Sequence, residues 1–110
     1  MKNLKPIIEK VQVLIEKLSQ SLSNEDLACG WREKSQEAML RLFKRMLNDL
    51  KCKTPQIKDE YLTIIRGLDH WGIEDGPLCN LIYSISADLI EYKEKHRNLI
   101  FKLLRGCRRQ

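Results

Sequence analysis

Apolar residues recur along most of this chain at steps of three and four. Leu4, Ile7, Ile8, Val11, Leu14, Ile15, Leu18 and Leu22 share one face, while Glu9, Lys10, Glu16 and Lys17 face away. This spacing predicts an amphipathic helix ending at Ser21-Leu22-Ser23-Asn24. A second stripe is formed by Leu27, Trp31, Ala38, Met39, Leu42, Phe43, Met46, Leu47 and Leu50. It predicts a helix from near Asn24 to near Lys51, perturbed at Gly30, with Arg41, Lys44, Arg45 and Lys51 on its basic side. Ser23 and Asp26 stand at capping-box spacing, with Asp where Glu is usual.

Two start signals divide the second half. Thr54-Pro55 offers an N-cap hydroxyl followed by a proline whose missing N–H costs nothing at the first helical position. The helix expected there presents Ile57, Tyr61, Ile64, Ile65 and Leu68, and ends at Trp71-Gly72 with Gly72 as a left-handed cap. Asp75-Gly76-Pro77 restarts the chain, with Asp75 as the expected cap. The last stripe is Leu78, Leu81, Ile82, Ile85, Leu89, Tyr92, Leu99, Ile100, Leu103 and Leu104. Unbroken from Leu78 to Arg105, that helix is about 42 Å long at 1.5 Å per residue, against about 28 Å for Leu4 to Leu22. The last helix therefore either overhangs the others or breaks near His96-Arg97-Asn98 and folds back. No β-type alternation or internal repeat interrupts the pattern. The expected fold is all-α: one domain over residues 1–110, an antiparallel bundle of four main helices, five or six after breaks.

Charge is unevenly placed. Residues 1–55 carry 11 basic and 7 acidic side chains, residues 56–92 carry 2 and 7, and residues 93–110 carry 7 and 1. The net charge of +5 thus conceals an acidic island between two basic ends. Tyr61, Trp71 and Tyr83 lie within the island, a combination suited to a basic protein partner. A second apolar edge on the last helix, Tyr83, Ala87 and Ile90, reads either as helix packing on two sides or as a partly exposed strip beside carboxylates. The residues expected to meet a partner are Asp59, Glu60, Asp69, Trp71, Glu74, Asp75 and Tyr83, with Trp71 and Tyr83 as anchors.

Little points to chemistry. His70 and His96 stand 26 residues apart, and no H-E-x-x-H, G-x-S-x-G or phosphate-binding loop is present. Asp69, Glu74 and Asp75 read as helix-end carboxylates, and His96, on the apolar stripe, as structural. Cys29, Cys52, Cys79 and Cys107 include no C-x-x-C pair, which predicts reduced thiols and no metal. No enzyme activity and no cofactor are expected. No apolar run approaches the roughly 18 residues that span a bilayer. The amino-terminal residues lack the apolar block of a signal peptide, so the expected location is the cytoplasm, without membrane association.

The segment Leu68-Asp69-His70-Trp71-Gly72-Ile73-Glu74-Asp75-Gly76, together with the small size, helical make-up and absence of catalytic motifs, resembles the immunity proteins of contact-dependent inhibition and other polymorphic toxins. The resemblance is one of class. It implies stoichiometric occlusion of a cognate toxin, a nuclease, whose phosphate-gripping Lys and Arg would pair with the island. The alternative is a small nucleic-acid-binding regulator using the basic end, Lys93, Lys95, Arg97, Lys102, Arg105, Arg108 and Arg109, with Arg41, Lys44 and Arg45. A bundle that works as an oligomer through the end of its last helix is a third reading.

Overall fold

A computed structural model describes residues 4–108, with side chains through residue 95. Among these residues there are six helices and no strand. They are α1 (Lys5–Leu18), α2 (Asn24–Ala28), α3 (Glu33–Lys51), α4 (Asp59–Leu62), α5 (Ile64–His70) and α6 (Pro77–Arg108). Helix α1 packs on both α3 and α6, and α4 and α5 pack on α6.

The stripes read from the sequence form the core. Ile7, Val11, Leu14 and Leu18 of α1 are buried, as are Met39, Phe43, Met46 and Leu50 of α3 and Leu78, Ile82, Ile85 and Leu89 of α6. Pro6 occupies the first turn of α1, where a proline fits. That helix ends at Leu18, one turn earlier than its pattern suggested. The reason lies on α3: the Gln36 amide donates to the carbonyls of Leu18 and Gln20 at 2.8 and 2.6 Å, satisfying acceptors that a further turn would have used. Lys10 joins α1 to α6 through Asp88 at 2.6 Å and Ser84 at 2.8 Å.

Gly30 divides the second predicted helix completely. The capping box at Ser23 forms, with both Ser23–Asp26 bonds at 3.1 Å, but α2 lasts only 5 residues. Gly30 then adopts φ +107°, the Gly30 N–H donates to Leu27 O at 3.2 Å and the Trp31 N–H donates to Asp26 O at 3.1 Å. This is a Schellman ending, with Trp31 buried beyond it. Arg32 then donates to the Leu27 and Trp31 carbonyls, and its own N–H meets the Ser35 hydroxyl that opens α3.

The Thr54-Pro55 start is not used. Residues 55–58 are irregular, because the Gln56 N–H turns back to Asp49 O at 3.2 Å. The Asp49 carboxylate meanwhile takes the Tyr61 hydroxyl and lies 3.3 Å from Lys58. Helix formation begins only at Asp59, where Asp59 and Glu60 suit the positive helix N-terminus. The single helix expected from there is two, separated at Thr63 (φ −110°, ψ 18°). Tyr61, on the apolar stripe expected here although it lies within the acidic island of the sequence, is fully buried.

Gly72 ends α5 as expected, at φ +71°. The Ile73 N–H donates to Leu68 O at 2.9 Å and the Gly72 N–H to Asp69 O at 3.0 Å, a second Schellman ending with Ile73 buried beyond it. Pro77 opens α6, but the capping position falls to Gly76, whose carbonyl takes the Asn80 N–H at 2.9 Å. Asp75 sits one residue earlier and accepts the Gly76 N–H at 2.8 Å, a correction to its expected role. Helix α6 then runs 32 residues, about 48 Å, without a break at His96. It spans most of the 61 Å long axis of the molecule. The side chains of His96 and Cys107 lie outside the described residues.

Candidate protein-partner interface

The two glycine turns meet. A Cβ built on Gly30 would lie 2.9 Å from the carbonyl oxygen of Gly72, and one built on Gly76 would lie 2.8 Å from Cys29 Sγ. Helix α2 is therefore seated on the α5–α6 turn by backbone-to-backbone approach, which only glycines allow. This contact brings Glu25 and Asp26, one helical turn before Cys29, to the same thiol as Asp75. The Cys29 thiol registers the convergence: burial first, then the carboxylates of Asp75, Glu25 and Asp26, push its pKa up. Burial likewise raises the Cys79 thiol, with Asp75 and Asp69 adding to the effect. Cys29, Cys52 and Cys79 are all free thiols.

Trp71 lies between Asp69 and Glu74 in the sequence, on the turn that leaves α5. It occupies the C-cap of α5, with 37% of its surface exposed. One edge of its ring lies 4.0 Å from where a Gly67 Cβ would be, so the indole rests against its own helix. Leu27, on the stripe expected to be buried, is 41% exposed at the end of α2. Asp69, Glu74 and Asp75 are exposed and pair with no cation among the described residues. Tyr83 is half-buried; its pKa is raised first by a hydrogen bond with Cys79, with lesser contributions from Asp69 and Glu74. An aromatic ledge edged by unpaired carboxylates is chemically suited to gripping Lys and Arg on a protein surface.

The structure divides the island seen in the sequence. Asp69, Trp71, Glu74, Asp75 and Tyr83 are brought to one end. Asp59 and Glu60 are not: Asp59 faces Lys93 at 3.4 Å, about 15 Å further along α6 than Tyr83, and Glu60 faces Arg45 at 3.7 Å. Asp88 is engaged by Lys10. Glu25 and Asp26 join the acidic end in their place, and the sequence carries no local sign of that approach. Of the second apolar edge, Ala87 and Ile90 are exposed, and Ile90 lines a shallow hollow of about 270 Å³ with Leu62, Lys93 and Glu94.

Among the described residues no group of three or more His, Cys, Asp and Glu could hold a metal ion, and no helix is long and apolar enough to cross a membrane. No protein-family model matches the chain, and neither a curated protein nor a solved structure is similar to it.

Proposed function

We propose that this chain is a non-catalytic protein-binding module, an immunity-type inhibitor that neutralises a nuclease toxin in the cytoplasm by covering the basic cleft with which the toxin holds nucleic acid. The scaffold we infer is an antiparallel helical bundle that presents its acidic end as a rigid surface. The observation that carries the reading is Trp71, exposed on a turn fixed by backbone contacts and flanked by Asp69, Glu74 and Asp75 without cationic partners. The carboxylates would steer a basic partner into place and replace the phosphates it normally grips. Trp71 would supply the desolvated anchor that slows release.

The test is capture of the partner on the immobilised chain from nuclease-treated lysate of the native cell, followed by binding kinetics on the purified pair. One protein retained at one-to-one stoichiometry, whose nuclease activity is lost in the complex, is the expected result. Trp71→Ala should raise the dissociation rate by roughly 30-fold, the value of an anchor worth about 2 kcal/mol. Charge reversal at Glu74 and Asp75 should slow association by about tenfold and flatten its salt dependence. Unaltered kinetics in both variants would remove the interface from this end of the molecule.

A further inference from the structure

The outer side of α3 carries charge of the opposite sign. Met39, Phe43, Met46 and Leu50 point into the core, so Arg41, Lys44 and Arg45 fall on the far side by helical periodicity, and all three are exposed. Ala38 lies beside them and is too small to fill the space between their side chains. The result is an open groove of about 440 Å³ lined by Ala38, Arg41, Lys44 and Arg45. Lys51, also exposed, extends the basic face toward the helix C-terminus. Of the carboxylates flanking this face in sequence, Asp49 is turned away to Tyr61 and Lys58. Glu37, exposed one turn before Arg41, forms no ion pair with the three cations among the described residues, which outnumber it. Arg41 and Lys44 pair with no carboxylate among the described residues, and Arg45 has only a 3.7 Å approach to Glu60 between exposed side chains. Such a pair is worth little and yields readily to a competing anion.

We propose that this groove binds the phosphate backbone of duplex DNA, without reading its sequence. The charge calls for a polyanion, and the surroundings select among polyanions. The exposed large apolar residues among those described are Val13, Leu27, Trp71 and Ile90, none of them on α3. A protein partner would find no anchor there, and a single strand no aromatic on which to stack its bases. Charge alone remains, and the duplex backbone offers charge in a regular row. Arg41 and Arg45, one helical turn apart, can each meet a phosphate with the guanidinium fork, while Lys44 adds a point charge between them. A helix face fits the wide major groove of B-form DNA and not the deep, narrow one of A-form RNA. None of the residues that line the groove belongs to the set proposed to meet the toxin, so this inference stands whether or not the inhibitor reading does.

The experiment is fluorescence anisotropy of the full chain with labelled DNA duplexes of unrelated sequence. Dissociation constants of roughly 10⁻⁴–10⁻⁶ M, alike for all sequences, are expected at physiological salt. Three phosphate contacts give a logarithmic salt slope of about −2.7, so affinity should fall roughly 40-fold between about 50 mM and about 200 mM salt. The combined Arg41→Gln, Lys44→Gln and Arg45→Gln variant should lose most of that binding and most of the slope while keeping its circular dichroism. The paired Arg41→Lys and Arg45→Lys variant should retain binding, and Trp71→Ala should leave it unchanged. Wild-type affinity in the triple glutamine variant would overturn the proposal, as would loss of binding only on neutralising Arg105, Arg108 and Arg109. Tighter binding of duplex RNA, or binding of polyglutamate in preference to DNA, would overturn it too.

Discussion

Replacing Gly30 with alanine would place a methyl carbon 2.9 Å from the Gly72 carbonyl oxygen and 3.4 Å from its carbon. Both are backbone atoms, so neither can swing aside as a side chain would. Alanine at φ +107° also carries an intrinsic conformational cost of roughly 1–3 kcal/mol. Forcing the two turns apart adds an overpacking cost of roughly 1–3 kcal/mol. Gly72 is the natural control. It too has positive φ, +71°, but a Cβ there meets nothing within 4 Å. Gly72→Ala should cost only the left-handed penalty of roughly 1–2 kcal/mol, partly offset by a less flexible unfolded chain. The expected losses are about 3 kcal/mol for Gly30→Ala and about 1 kcal/mol for Gly72→Ala. With a urea slope of about 1.5 kcal/mol/M the midpoint should fall by about 2 M in the first and well under 1 M in the second. Urea titration followed by far-ultraviolet circular dichroism measures both. Equal midpoints in the two variants would show that the turns are not in backbone contact, and the convergence of Glu25 and Asp26 on the acidic end would lose its cause.

Two further outcomes test the packing around α3 and α6. Tyr61→Phe removes the hydroxyl that Asp49 accepts and should cost about 1 kcal/mol near neutral pH. That hydrogen bond, followed by Lys58, holds the Asp49 carboxyl below its ordinary range. A lowered folded-state pKa contributes stability above the unfolded carboxylate value of about 3.9 and loses it as pH falls through the folded value. The gap between wild type and variant should therefore hold steady down to about pH 5 and close in more acidic solution; a gap that widened there would contradict the assignment. Ser86 is fully buried in α6, with a hydroxyl that finds no hydrogen-bond partner among the described residues. Ser86→Ala removes an unsatisfied group and favours the helix, so it should raise the thermal midpoint by an amount equivalent to about 1 kcal/mol, and a lower midpoint would mean the hydroxyl is bonded after all.

The parts of the structure that were legible in the sequence are those set by residues close along the chain. The core faces of α1, α3 and α6 follow from the three- and four-residue recurrence of Ile7, Val11 and Leu14, of Met39, Phe43 and Met46, and of Ile82, Ile85 and Leu89. Gly72 marks the end of α5 and Pro77 the start of α6 by conformational rules that need no tertiary context. The errors arise where distant groups intervene. Thr54-Pro55 has good local start chemistry, and Asp49 defeats it by holding Gln56, Lys58 and Tyr61. The apolar stripe runs across Gly30, so nothing local showed that the glycine turns the chain fully and seats it on Gly72. The candidate site was half legible. Trp71 and its neighbouring carboxylates are contiguous, whereas the pairing of Asp59 and Glu60 with Lys93 and Arg45, and the arrival of Glu25 and Asp26, depend on the packing of separate helices.

The docking of Gly30 against Gly72 also bears on how such a protein could change allegiance. Its frame at the acidic end is set by main-chain atoms, and the side chains on the rim contribute little to holding it. Asp69, Glu74 and Trp71 are thereby released from structural duty and can be exchanged with small effect on folding. If the acidic end is the binding surface proposed above, a lineage could redraw it residue by residue, tracking an altered target, while the glycines beneath stay as they are.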